Sequence, residues 1–211
     1  MKKHFGSFLR AGLAALSAVF LAGCGGDDDD FDYGDNDPNL VACVGDSLTQ
    51  GYNTIGAPYP TRLAQMSGKT VLNYGVAGTE SSYGAGIIGS VLARKPGTVC
   101  IMYGSNDAIM GRDFNKTKAC IKAMAASCKA NNTRAVVAVP PGMVGSHAKF
   151  NHRVRYMADF IREAAKEEGV KLIDFYSAMG DDPSRFLNPA DGLHLSDEGA
   201  DFVAKKFNSC I

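Results

Sequence analysis

Four short segments hold residues able to do chemistry together. Ser47 lies in Gly45-Asp46-Ser47-Leu48-Thr49, directly after an apolar run and just past a glycine that permits a tight turn. A serine hydroxyl becomes a nucleophile only beside a proton acceptor. His194 is the credible general base, because Asp191 stands three residues before it and would fix its tautomer and stabilise the imidazolium. The other histidines past the leader, His147 and His152, sit in a polar stretch with no Cys or carboxylate at ligand spacing. They read as surface residues, and no metal site is expected. Gly78, in the run Asn73 to Thr79, would let a backbone N–H come close to a substrate. Asn106, in Gly104-Ser105-Asn106-Asp107, carries an amide able to donate to a developing oxyanion. Taken singly, each segment is an ordinary turn, loop or helix cap.

The elements around these segments explain why they would meet. Uninterrupted β-rich apolar runs occupy 40–44, 70–74, 98–103, 134–139 and 170–173, as parallel strands buried on both faces should. Between them, 113–130 places Thr117, Ile121, Met124 and Cys128 on one helical stripe, and 149–168 does the same with Phe150, Val154, Met157, Ile161 and Ala164. A last helix is expected to start at Ser196, an N-cap followed by Asp197 and Glu198. Alternating strands and helices imply an α/β fold, a parallel sheet covered on both faces, with ligands at the carboxyl ends of the strands. Ser47, Gly78 and Asn106 each follow a predicted strand. Gly84-Ala85-Gly86-Ile87-Ile88-Gly89 spells a dinucleotide fingerprint. No strand runs directly into it, however, so it reads as a glycine-rich helix start packed closely on the sheet.

In this order the four segments resemble the SGNH hydrolases, also called the GDSL esterase/lipase family, over nearly all of residues 40–209. GDSLTQGY looks especially like the small bacterial lysophospholipase/arylesterase branch. The resemblance implies a flavodoxin-like three-layer α/β/α sandwich with a five-stranded parallel sheet. It also implies Ser47 as nucleophile, Asp191 and His194 as its partners, and an oxyanion hole from the Ser47 N–H, Gly78 and Asn106. Gly78 rather than Gly75 fits the family's Asn-x-x-x-x-Gly spacing. The expected activity is acyl-ester hydrolysis through an acyl-enzyme, with no cofactor, on short-acyl or lysophospholipid-type esters. Carbohydrate O-acetyl esters of the envelope are the alternative substrate. A non-catalytic binding lipoprotein is the rival from another class. The stretch 108–112 between the third strand and its helix is short, and no insertion suggests a lid.

The remainder of the chain addresses location. Residues 1–23 combine Lys2, Lys3 and Arg10 with an apolar run over 11–22, the order of an export signal. The run is short for a permanent membrane span. It ends Leu21-Ala22-Gly23-Cys24, which resembles the bacterial lipobox and implies Cys24 as a lipidated first residue. The expected product is an exported, membrane-anchored lipoprotein of the cell envelope, on its periplasmic or surface side. Residues 24–37 then form an acidic spacer with seven Asp between 27 and 37, a composition that repels itself and builds no core. The calcium-loop alternative lacks the ligand spacing. One domain, 38–211, follows. It carries 19 basic and 15 acidic residues with no basic cluster, which gives no footprint for nucleic acid. Beyond Cys24 remain Cys43, Cys100, Cys120, Cys128 and Cys210. The pair Cys120 and Cys128 cannot bridge on one continuous helix, since about 12 Å of rise separates them.

Overall fold

The computed structural model describes residues 30–211. Cys24 and the leader lie outside them. The strands are β1 (Asp37–Gly45), β2 (Thr70–Gly75), β3 (Pro96–Met102), β4 (Arg134–Val139) and β5 (Lys171–Asp174). All pair in parallel in the order β2-β1-β3-β4-β5. This is the flavodoxin-like order, whose direction reverses beside β1 and leaves a crevice at the carboxyl ends of β1 and β3. The helices are α1 (Ser47–Gln50), α2 (Tyr59–Ser67), α3 (Ser81–Leu92), α4 (Ser105–Ile109), α5 (Phe114–Ala130), α6 (Asn151–Glu168), α7 (Phe175–Ala178) and α8 (Asp197–Asn208).

Strand residues alternate between two cores. Ala42, Val44, Val99, Ile101, Val137 and Val139 pack with Val91 of α3, Ile121 and Met124 of α5, and Val154 and Ile161 of α6. Val41, Cys43, Cys100, Met102, Val136 and Ala138 pack with Leu63 of α2 and Val203 and Phe207 of α8. The result is three layers, as expected from runs without a polar face. Thr117, Ile121, Met124 and Cys128 are buried together on α5, as the stripe predicted. Ser196 caps α8, its Oγ accepting from the Gly199 N–H at 3.0 Å.

Several boundaries differ from the sequence reading. Residues 145–150 form a 3-10 turn and α6 begins at Asn151, whose side chain bonds both the N–H and the carbonyl of Met143. The stretch 108–112 is not all loop, because Ser105–Ile109 form α4. Within the glycine-rich start of α3, only Gly84 makes the close approach. A Cβ there would lie 2.4 Å from the Tyr103 ring, whereas Gly86 and Gly89 face open space. The distal part of the expected spacer is docked on the body. Arg134 stacks over the rings of Phe31 and Tyr33 at 5.1 and 5.5 Å. Asn36 donates to the carbonyls of Asn131 and Asn132. Isolated aromatics within an acidic run gave no period from which to read this contact. Cys43 and Cys100 are opposite neighbours on β1 and β3, and both are free buried thiols. Burial pushes Cys100 well above the ordinary thiol range. Cys120 and Cys128 are free as well.

Candidate active site

The turn leaving β1 is built by its polar residues. Asp46 caps α1, its Oδ1 accepting from the Leu48 N–H at 2.9 Å. Ser47 thus becomes the first residue of a helical turn, where an N–H has no acceptor within the helix. The turn fits because β2 also ends in glycine: a Cβ on Gly75 would lie 2.0 Å from the Gln50 nitrogen. Gln50 in return accepts from the Ala77 N–H at 3.0 Å, tying α1 to the loop that carries Gly78. Gly78 sits at φ +76° with no atom within 4 Å of a would-be Cβ. The left-handed backbone, rather than lack of room, is what calls for glycine there.

Asn106 lies in α4 after β3, and its amide donates to the Thr79 carbonyl at 2.9 Å. This orients the side chain beside the Gly78 loop. Asp107 anchors the same turn from beneath, accepting from the Ser81 N–H and hydroxyl at 3.1 and 2.5 Å and from the Thr117 hydroxyl at 2.9 Å. The loops after β1, β2 and β3 are therefore one connected assembly.

The fourth segment reaches that assembly from the other end of the chain. Leu187 and Leu195 form a bridge that closes the loop, and Asn188 ties it with an N–H to the His194 carbonyl at 2.6 Å. Its side chain donates to the Asn53 carbonyl at 2.8 Å. Gly192, at φ +66°, passes so near Val144 that a Cβ would meet its carbonyl oxygen at 2.4 Å. In this frame His194 Nδ1 donates to Asp191 Oδ2 at 2.8 Å, and Nε2 accepts from the Ser47 hydroxyl at 3.0 Å. A carboxylate accepts only, so Nδ1 carries the proton and Nε2 is left basic toward Ser47. The other Asp191 oxygen accepts from the N–H groups of Leu193 and His194 at 2.9 and 3.0 Å, and Asn53 donates to Oδ2. Partial burial opposes ionisation of Asp191, but these donors outweigh it and hold the carboxyl well below its usual range. Ser47 and His194 are only 7% and 8% exposed, and the Tyr52 ring stands edge-on to the imidazole at 5.1 Å. The chain from carboxylate through imidazole to hydroxyl can pass a proton from serine to histidine while the carboxylate stays charged.

The amino-acid sequence matches the model of the GDSL-like Lipase/Acylhydrolase family over residues 43–202. The chain belongs to that family. As a GDSL acylhydrolase it is a carboxylic ester hydrolase. Among solved structures it is similar to a G-D-S-L family protein from Desulfitobacterium hafniense, with 25% identity, TM-score 0.72, and 82% of this chain and 99% of the other covered. It is also similar to a lipase/acylhydrolase from Enterococcus faecalis, at 24% identity and TM-score 0.68, covering 80% and 93%. The acetyl xylan esterase AlAXEase matches at 21% identity and TM-score 0.70, covering 82% and 99%. No curated protein matches the chain.

All five residues singled out in this GDSL hydrolase stand at the carboxyl end of the sheet or on the loop that closes over it. His152 is exposed, as expected, but His147 is not a bystander. It is half-buried, and its Nδ1 donates to the Asp191 carbonyl at 2.8 Å. Asn53, Asn188 and Asp107 also escaped the sequence reading, since a polar residue in a loop has no period to betray its partner. Asp46 was legible only as part of a motif. It is buried, and its Oδ2 has no hydrogen-bond partner. Burial, countered by the Leu48 N–H and reinforced by the Asp107 charge, pushes its pKa up to about 7. Among the described residues no group of three or more His, Cys, Asp or Glu could hold a metal ion.

Proposed function

We propose that this GDSL hydrolase cleaves short-acyl or lysophospholipid-type esters through an acyl-enzyme on Ser47. The supporting observation is the hydrogen-bonded series Asp191, His194, Ser47 at 2.8 and 3.0 Å. Ser47 Oγ attacks the ester carbonyl carbon as His194 Nε2 takes its proton. The C–O bond to the leaving alcohol then breaks, and the same proton goes to that alcohol. Water repeats the sequence on the acyl-enzyme and releases the acid. The carbonyl oxygen, negative in each tetrahedral intermediate, is held by the N–H groups of Ser47 and Gly78 and by the Asn106 amide. Exposed Tyr52, Ile55, Tyr83 and Met110 follow these residues closely in the chain and supply an apolar rim for an acyl group. In the same reading, Cys24 carries the lipid that anchors the protein to the cell envelope.

Hydrolysis of nitrophenyl esters from acetate to palmitate, beside Ser47→Ala, tests the chemistry. The expected result is turnover by the wild type and a loss of at least about 10³-fold in the variant. Unchanged turnover in Ser47→Ala would overturn it. The acyl length at which rate collapses separates a lysophospholipase-like site from removal of carbohydrate O-acetyl groups. Palmitate labelling that disappears in Cys24→Ser tests the anchor.

A further inference from the structure

The path of the chain into β1 decides which way the site can face. Residues 31–36 dock at the amino ends of β3 and β4. Phe31 and Tyr33 lie against Arg134, the first residue of β4, Asn36 bonds the turn before it, and the Asp37 N–H donates to the Lys95 carbonyl at 2.9 Å, just ahead of β3. Ser47, Gly78 and Asn106 follow the carboxyl ends of β1, β2 and β3. Strands of this sheet are all parallel, so the docked segment and the site occupy opposite ends of the domain.

From Cys24 to Asp30 there are seven residues, which fully extended span at most about 25 Å. A compact body of the 182 described residues has a radius of gyration of about 16 Å and is about 40 Å across. To lay the serine face on the bilayer, the docked segment would have to stand about 40 Å above it, beyond the reach of the tether. Tipped on its side, the domain still directs the site along the membrane and not into it.

We propose that the short tether and the docked segment hold the active site away from the anchoring membrane, so that the substrates are esters presented from the aqueous side, such as acylated saccharides, and not lipids of the enzyme's own bilayer. This rests on the esterase and on Cys24 lipidation proposed above. The exposed apolar residues Tyr52, Ile55, Tyr83 and Met110 lie at the site end of the domain, where they meet incoming substrate instead of the bilayer.

The test uses lipidated full-length mature protein in dilute phospholipid vesicles, with one nitrophenyl acetate reporter in two forms, free in solution or attached by a short linker to a lipid headgroup of the same vesicles. The anchored enzyme should cleave the free form and cleave the vesicle-bound form at least tenfold more slowly. Inserting 40 Gly/Ser residues between Asp29 and Asp30, a tether of about 40 Å root-mean-square length, should raise cleavage of the bound form at least tenfold and leave the free form unchanged. Equal cleavage of both forms on the native tether overturns the proposal. So does slow cleavage that the longer tether fails to relieve, since the site and not its orientation would then exclude the bound ester. No cleavage of the free form overturns the esterase instead, and failure of the mature protein to associate with vesicles overturns the anchor.

Discussion

Asp46 offers the most quantitative test of how this site is held. Its carboxyl is buried, one oxygen caps α1 through the Leu48 N–H, and the other has no partner. Burial raises its pKa from 3.8 to about 7. Below pH 4 the native and unfolded states both keep the proton, and there is no cost. Between pH 4 and 7 the unfolded chain gives it up while the native protein retains it, so stability falls as pH rises. Above pH 7 both states are ionised, and the full cost is about 4 kcal/mol, taking 1.36 kcal/mol for each pKa unit. Asp46→Asn keeps the shape and the capping oxygen but cannot ionise. Its unpartnered amide adds a constant cost of about 1–3 kcal/mol, which shifts the whole curve and leaves its slope alone. Urea unfolding of wild type and variant at intervals from pH 4 to 8 should therefore show the variant gaining on wild type by about 4 kcal/mol across that range. Curves that stay parallel within about 1 kcal/mol would rule out a buried, titrating Asp46 carboxyl and place its charge in contact with water.

Further changes probe the rest of the assembly. Asn106→Ala should lower kcat by about 10²–10³-fold with the fold intact, as read by steady-state kinetics and circular dichroism, and a loss of only a few-fold would remove its amide from the oxyanion hole. Asn53→Ala takes a donor from Asp191 Oδ2; a hydrogen bond to a charged group is worth about 1.5–3 kcal/mol, which predicts a loss of about 10–100-fold in kcat/KM if it is spent on orienting the His194 partner. Gly75→Ala drives a Cβ to 2.0 Å from the Gln50 backbone, and urea unfolding should show it less stable by more than about 1–3 kcal/mol.

Much of this molecule is written locally. Five apolar runs without alternation are enough to specify a parallel sheet covered on both faces, and the α5 stripe and the Ser196 cap followed from spacing and residue type, whereas the close packing expected of the whole run 84–89 is met by Gly84 alone. His194 and Asp191 were legible from residue type and spacing, since the chain past its leader has only three histidines, whereas Ser47, in an ordinary turn, stood out only through the resemblance carried by all four segments. Short pieces were harder. The helical turn α4 is five residues long and α1 only four, too short to show a period, and the entry of α6 at Asn151 is set by hydrogen bonds to Met143 that spacing does not encode.

Fold class and a short set of candidate residues could be read along the chain, because periodicity and reactive side-chain types are properties of single residues and near neighbours. It took the packed fold to bring His194 within 3.0 Å of Ser47 across 147 residues, to brace Asp191 with Asn53 and His147, to bury Asp46 and raise its pKa, and to dock residues 31–36 at the end of the sheet opposite the site. Each of these depends on which surfaces meet when distant segments pack, and on the water excluded when they do.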